Sequence, residues 1–284
     1  MSDLRAQNLV STDWLHAHLS QPDLVVVDGS WYLPQEERDP KAEYADTHIP
    51  GAVYFDIDEI ADPASDLPHM MPSPVAFSSA MRRLGIGDGQ RIVVYDGKGV
   101  FSAPRVWWAF KTMGVRDVAV LDGGLPKWMR EGRPVDDEPV VRPERHFSAR
   151  LDHGSVADRA DVLKAVNSAG HQIIDARSAG RFTGSEPEPR AGMRSGHIPG
   201  SLNVHYASLL QDGQLRPEAD LREAFAKAGV DAGRPIVTSC GSGISAAILT
   251  LALTTIGHRK LSLYDGSWTE WGGRDDTPVS TGEA

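Results

Sequence analysis

His48-Ile49-Pro50-Gly51 occurs again later in the chain as His197-Ile198-Pro199-Gly200, and the reading of the fold starts from that recurrence. Each tetrapeptide sits in the same surroundings. Upstream lies a short apolar run ending in aspartate, Leu24 to Asp28 before the first and Gln172 to Asp175 before the second. Downstream, Arg91-Ile92-Val93-Val94-Tyr95-Asp96 matches Pro235-Ile236-Val237-Thr238-Ser239-Cys240. An apolar segment of helical length follows each run, Ser102 to Met113 and Ile244 to Ile256. Strand-like runs into Asp-Gly come next, Val118 to Gly123 and Leu261 to Gly266, and then Trp128 and Trp271. So many elements in one order, at nearly constant offset, mark an internal duplication. The first copy spans residues 12–135 and the second 156–279. Residues 136–155, rich in proline and charge and without apolar periodicity, read as a linker.

The apolar runs of four or five residues have the length and composition of buried parallel strands. They alternate with helical segments such as Pro74 to Leu84, Ala103 to Met113, Pro217 to Ala228 and Ser245 to Ile256. This alternation predicts an α/β fold, each copy having a mostly parallel central sheet flanked by helices. In such sheets sites form at the carboxyl ends of strands, beside helix N-termini.

A chain of 284 residues suits two domains. Its formal net charge of -10 makes it a poor general binder of nucleic acid or anionic membrane. Any anion it binds must meet locally placed positive charge. One cysteine excludes an internal disulfide framework and a multi-cysteine metal site, and fits a reducing compartment. Met1 to Val10 shows no basic stretch followed by an apolar run, and no apolar run approaches the roughly 20 residues that cross a bilayer. A soluble, cytoplasmic protein is expected. Walker-type glycine loops, dinucleotide fingerprints and zinc spacings are missing from the sequence, so no cofactor and no metal are implied.

The one cysteine stands where a nucleophile belongs. Cys240 ends the strand-like run, and Gly241-Ser242-Gly243 leads into a helix from about Ile244. A loop with two glycines can turn consecutive backbone N–H groups inward, and the helix N-terminus adds a positive dipole end. Both favour negative charge on sulfur and would cradle a persulfide or an oxyanion. A buried structural cysteine is the competing reading, since unpaired cysteine is among the most buried residue types. The strand-loop-helix position decides for function. In the first copy the equivalent residue is Asp96, in Tyr95-Asp96-Gly97-Lys98-Gly99. An aspartate cannot carry sulfur, so the first copy is expected to be catalytically silent.

At these residues the chain resembles the tandem rhodanese family, and within it the 3-mercaptopyruvate sulfurtransferase branch. That branch's loop reads Cys-Gly-Ser-Gly-Val-Thr-Ala, and here it is Cys240-Gly241-Ser242-Gly243-Ile244-Ser245-Ala246. Only Ile244 and Ser245 depart, both conservatively. Further similar segments run from Phe101 to Trp108, Asp175 to Arg177, Glu186 to Arg190 and Tyr264 to Trp268. The resemblance implies two rhodanese-like domains and a two-step reaction through a Cys240 persulfide. The sulfur donor would be 3-mercaptopyruvate, or thiosulfate as a lesser substrate. The acceptor would be cyanide, a small thiol or a thioredoxin-like protein.

Thiosulfate-preferring relatives usually carry Cys-Arg-Lys-Gly, whereas Gly241 and Ser242 are neutral and suit a donor whose single carboxylate is held elsewhere. By the resemblance Arg181 and Arg190 would hold that carboxylate and the keto oxygen, a task that suits the planar guanidinium fork. The loop residues Gly241, Gly243, Ile244 and Ser245 would line the substrate. Relatives have been read as using a Ser-His-Asp relay, which falls here on Ser242, His69 and Asp58, with Asp56 as an alternative carboxylate. Plain readings stand beside these: surface arginines paired with Glu186 and Glu188, a loop histidine, and a turn aspartate. Arg105 is a further candidate near the domain interface, with an interdomain ion pair as the preferred reading. The histidines of the repeated tetrapeptides, His48 and His197, also occur in the copy without a cysteine, so they read as structural. Competing functions are a thiosulfate:cyanide sulfurtransferase and a non-catalytic binding module. A protein phosphatase is excluded because position 246 is alanine where a phosphate-clamping arginine would stand.

Overall fold

Valine, isoleucine and leucine make the five strands of the first sheet: β1 (Leu9–Val10), β2 (Leu24–Asp28), β3 (Val53–Tyr54), β4 (Arg91–Tyr95) and β5 (Val118–Leu121). Their spatial order is β1-β5-β4-β2-β3, and every neighbouring pair is parallel. The second sheet uses β6 (Val156–Ala157), β7 (Gln172–Asp175), β8 (Leu202–Asn203), β11 (Ile236–Ser239) and β12 (Leu261–Tyr264). The short β9 (Leu210–Gln211) and β10 (Gln214–Leu215) belong to neither five-stranded sheet. The second order is β6-β12-β11-β7-β8, again all parallel. Strand for strand the two topologies are the same, as a duplication requires. The computed structural model describes residues 4–168 and 170–283.

Both sheets have helices packed on them, so the strands are buried on both faces and carry almost unbroken apolar runs. One core gathers Leu15, Val26, Val93, Leu121 and Trp128, and the other Val162, Ile173, Val237, Tyr264 and Trp271. The helix Ile244–Thr255 is buried along nearly its whole length, and its sequence is apolar on all sides accordingly. Each tryptophan indole donates to a carbonyl seven or six residues on, Trp271 to Pro278 and Trp128 to Pro134, both at 2.7 Å.

The repeated tetrapeptides are turns. Gly51 and Gly200 have φ of 74° and 72°, a conformation glycine adopts without steric cost. Ala52 N–H donates to Ile49 O at 2.9 Å, and Ser201 N–H to Ile198 O at 3.0 Å. His48 Nδ1–H donates to Tyr44 O at 2.8 Å, and His197 Nδ1–H to Phe182 O at 2.9 Å. Both histidines are staples of the fold.

The chain divides into two compact units. One holds the residues up to Asp62 together with Met71–Leu151 and Asp212–Leu215; the other holds Pro63–Met70, Asp152–Gln211 and the residues from Arg216. The stretch read as a linker is thus not a loose tether as far as Leu151. Phe147 is buried and its ring lies 5.8 Å from Phe77 and 6.5 Å from Phe110. Arg150 N–H donates to Met113 O at 2.9 Å and Ala149 N–H to Ser78 Oγ at 3.0 Å. A buried aromatic ring together with these hydrogen bonds docks a proline- and charge-rich run.

Candidate active site

Cys240 follows directly on β11, the central strand of its sheet, and precedes the helix Ile244–Thr255. It is 2 % exposed. Gly243 N–H donates to Cys240 Sγ at 3.1 Å. Gly243 has φ of 83°, which a side chain would strain, and that turn aims its N–H at the sulfur. The first four N–H groups of the helix have no partner inside it, so this end of the sheet is rich in donors and positive dipole. Ser242 and Ile244 are buried, while Gly241 and Ser245 are half-buried.

The loop is fixed from the opposite side by the helix Ser267–Trp271. Trp268 N–H donates to Cys240 O and Thr269 N–H to Gly241 O, each at 2.9 Å. Thr269 Oγ1–H also donates to Gly241 O, at 2.6 Å. Cys240 N–H donates to Ser267 Oγ at 3.3 Å, and Ser267 Oγ–H donates to Tyr264 O at 2.8 Å. Ser267 holds φ of 48°, unusual for a residue with a side chain.

Both arginines expected at the site lie against this loop. A β-carbon on Gly241 would stand 3.1 Å from Arg181 Nη2. Arg190 Nη1 donates to Thr269 Oγ1 at 3.3 Å, and that hydroxyl holds Gly241. Arg181 is ion-paired with Glu188 (2.6 Å), as the plain reading had it, yet the pair is no surface ornament, because the Glu188 side chain is only 4 % exposed. Behind it Arg177, fully buried, donates to Glu188 and to Asp175, and its guanidinium carbon lies 4.3 Å from the Trp268 ring centre. Burial opposes the Arg177 charge, but Asp175 and Glu188 outweigh it and raise its pKa above the ordinary value. Burial, and then the Arg181 charge, lower the His205 pKa.

His69 is 6 % exposed with φ of 63°, and its stretch Pro63–Met70 belongs to the unit that holds Cys240, although it lies inside the first copy in sequence. Asp58 belongs to the other unit, where its Oδ2 accepts Trp31 Nε1–H at 3.0 Å. Asp56, the alternative carboxylate, is committed to its own turn, accepting Asp58 N–H at 2.9 Å and Glu59 N–H at 3.1 Å, and pairs with Lys41 at 2.7 Å. Arg105 is buried with its guanidinium 4.5 Å from the Trp108 ring centre. Sequence reasoning did not single out Ser267, Thr269, Glu188 or Arg177 for the site, though three of them lie in segments that carried the family resemblance.

The first copy keeps one of these loop bonds and replaces the rest. Leu125 N–H donates to Asp96 O at 3.0 Å, as Trp268 N–H does to Cys240 O. There the Asp96 carboxylate accepts four backbone N–H groups, those of Lys98, Gly99, Phe101 and Ala103, all at 2.8 Å. The loop that could receive an anion is filled by its own side chain.

Comparison with known proteins agrees with this geometry. The pattern of the rhodanese-like domain matches residues 11–131 and 158–274. The chain is 44 % identical over 271 residues to the 3-mercaptopyruvate sulfurtransferase of Escherichia coli (strain K12), covering 95 % of this chain and 96 % of that one. It is also 41 % identical over 286 residues to the thiosulfate sulfurtransferase of Rattus norvegicus, covering 97 % and 96 %. The crystal structure of SseA from Escherichia coli is similar at a TM-score of 0.85 and 42 % identity, covering 92 % of this chain and 98 % of that one. Among the described residues no helix is long and apolar enough to cross a membrane. Two successive matches, one on each parallel sheet, show that the chain belongs to the rhodanese-like family and carries its domain twice.

Proposed function

We propose that this protein is a 3-mercaptopyruvate sulfurtransferase working through a persulfide on Cys240. The observation that carries the reading is the Gly243 N–H directed at the Cys240 sulfur from 3.1 Å, beside a helix N-terminus. The thiolate attacks the substrate sulfur. The carbon–sulfur bond breaks, its electron pair leaves as the enolate of pyruvate, and a proton completes pyruvate. The sulfur stays on Cys240 as the outer atom of a persulfide, which the inward N–H groups stabilise. Cyanide, a small thiol or a thioredoxin-like protein then attacks that outer sulfur and regenerates the thiolate.

Arg181 and Arg190 take the carboxylate and keto oxygen of the substrate, and Gly241, Gly243, Ile244 and Ser245 form the floor. Ser242 polarises the leaving group, and His69, in the same unit, is its candidate proton partner, with Asp58 as the candidate carboxylate of that relay. Residues 156–279 form the catalytic copy, residues 12–135 the silent one, and 136–155 the connection. A persulfide cycle needs a reducing compartment, and the cytoplasm is the location this reading takes.

Thiosulfate is the rival donor, favoured by the rat relative at 41 % identity. Against it, the loop from Cys240 to Ala246 has no cationic side chain. Intact mass after incubation with either donor, with pyruvate and thiocyanate release followed on cyanide, tests both. One added sulfur atom, lost in Cys240→Ser, with faster turnover of mercaptopyruvate, is expected. Faster thiosulfate turnover would overturn the donor, and no added sulfur from either would overturn the enzyme.

A further inference from the structure

We infer that Glu188 is the positioning residue that aims Arg181 at the Cys240 loop, anchored in turn by the buried Arg177; the inference rests on Arg181 receiving the substrate carboxylate. Glu188 grips Arg181 side-on, its Oε1 accepting Nε–H at 3.1 Å and its Oε2 accepting Nη2–H at 2.6 Å. Such a fork fixes both the place and the plane of a guanidinium. It uses two of the five N–H donors of arginine and leaves three for a substrate anion. Glu188 is itself held. Pro187 and Pro189 flank it and restrict its backbone. Its Oε1 also accepts Arg177 Nη1–H at 2.7 Å.

Arg177 cannot swing. Its Nε donates to both Asp175 oxygens at 3.1 and 3.0 Å, and its Nη2 to Asp175 Oδ2 at 2.6 Å and Gly196 O at 2.8 Å. The result is an alternating chain, Asp175, Arg177, Glu188, Arg181, that starts at the end of β7 and finishes over Gly241.

The duplication supplies the control. Asp28 is the first copy's counterpart of Asp175: each accepts the N–H two residues on, from Ser30 at 2.8 Å and from Arg177 at 2.9 Å. Asp28 and Asp175 also occupy the same register, opposite Tyr95 and Ser239. Where the catalytic copy has a buried guanidinium, the silent copy has Ser30. The same sheet is therefore built without the ion chain. A buried ion pair has a desolvation cost that often cancels its attraction, so scaffolding does not account for it. Its outer end at Arg181, beside the reactive loop, does.

The test uses the full-length chain with Glu188→Gln, Glu188→Asp, Arg181→Gln and the double variant Arg181→Gln/Glu188→Gln. With mercaptopyruvate as donor and cyanide as acceptor, Glu188→Gln should raise KM by about tenfold with kcat changed far less, and Glu188→Asp should recover part of the loss. In the Arg181→Gln background the Glu188→Gln change should cost nothing further. A second readout needs no sulfur transfer: the rate of Cys240 alkylation by iodoacetate, which bears a carboxylate, relative to neutral iodoacetamide. That ratio should fall in Glu188→Gln and in Arg181→Gln alike. Equal loss of both alkylation rates, or an undiminished Glu188→Gln effect when Arg181 is already gone, would overturn the positioning role. If mercaptopyruvate fails as a donor while the ratio still falls as expected, the donor assignment is wrong and the positioning role stands.

Discussion

Ser267 offers the sharpest test of how the reactive loop is held. It has φ of 48°, and its counterpart in the first copy is Gly124 at 54°. A β-carbon on Gly124 would stand 2.5 Å from Asp96 O and 2.6 Å from Gly99 O, so only glycine fits there. Beside Cys240 a serine occupies the same left-handed position and accepts Cys240 N–H at 3.3 Å. Two energies oppose one another. The conformation costs a side-chain-bearing residue about 1–2 kcal/mol, and leaving the buried Cys240 N–H unpaired costs about 1–3 kcal/mol. Ser267→Ala loses the acceptor and keeps the strain. Ser267→Gly loses the acceptor and sheds the strain, so it should be about 1 kcal/mol more stable than Ser267→Ala, and both should be less stable than or equal to the parent. Hydrogen exchange of the Cys240 amide, followed in a peptide covering Ile236 to Ile244, should quicken in both variants. Sulfur transfer should fall in both, because the nucleophile's backbone is no longer pinned. If alanine matches or exceeds glycine in melting temperature, or the Cys240 amide exchanges at its parental rate, the account of Ser267 as a strained anchor is wrong.

Two further outcomes follow from the same geometry. Burial of Asp28, against weaker opposing hydrogen bonds from Ser30 and Tyr95, pushes its carboxyl pKa up to about 6. The folded chain therefore keeps a proton that the unfolded chain releases near 3.8, and stability falls as pH rises from about 4 to about 6. Above that window Asp28→Asn should be more stable than the parent by up to about 3 kcal/mol, with the gain vanishing at low pH; an equal Asp28→Asn effect at pH 5 and pH 8 in the exchange of the β2 and β4 amides would refute this. Gly241→Ala should push the Arg181 guanidinium aside by a few tenths of an ångström, raising KM for mercaptopyruvate several-fold while the melting temperature stays within the range of an ordinary surface change; an unchanged KM would remove Arg181 from the loop.

What was legible in the sequence was local. Val, Ile and Leu runs of strand length, a Gly-Ser-Gly loop and repeated His-Ile-Pro-Gly turns announce their structure within a few residues. Both sheets and the seat of Cys240 could be read from them. The ion chain could not, because its meaning depends on partners far apart in sequence: Arg177 reads as one more charged residue until Asp175, Glu188 and Gly196 surround it. Ser267 gave no signal of a left-handed backbone, since serine rarely adopts one. Phe147 and the hydrogen bonds around it dock a stretch whose composition suggests a free tether. Pro63–Met70 grouped with the second unit, a partition that no local pattern encodes.

The two copies together separate what the fold needs from what the site needs. The tetrapeptide turns and the Trp128 and Trp271 indole bonds recur with nearly the same distances in both. The differences gather at the carboxyl end of the sheet. Asp96, Ser30, Gly124 and Pro126 in one copy stand where Cys240, Arg177, Ser267 and Thr269 stand in the other. Each residue on the second list bears on the same loop: the proposed nucleophile, the root of the proposed arginine clamp, an anchor for the Cys240 amide, and a hydroxyl joining Arg190 to Gly241. In the first copy the aspartate satisfies its own loop with four N–H bonds, so that loop needs neither an anion nor an arginine to complete it. In the second, the sulfur accepts the Gly243 N–H, and on the proposed function the donors of the loop and the helix end are there for the atom that a persulfide adds. On the proposed function, exchanging one residue, aspartate for cysteine, turns a loop that closes on itself into one that substrate completes, and the other three substitutions hold that opened loop in shape.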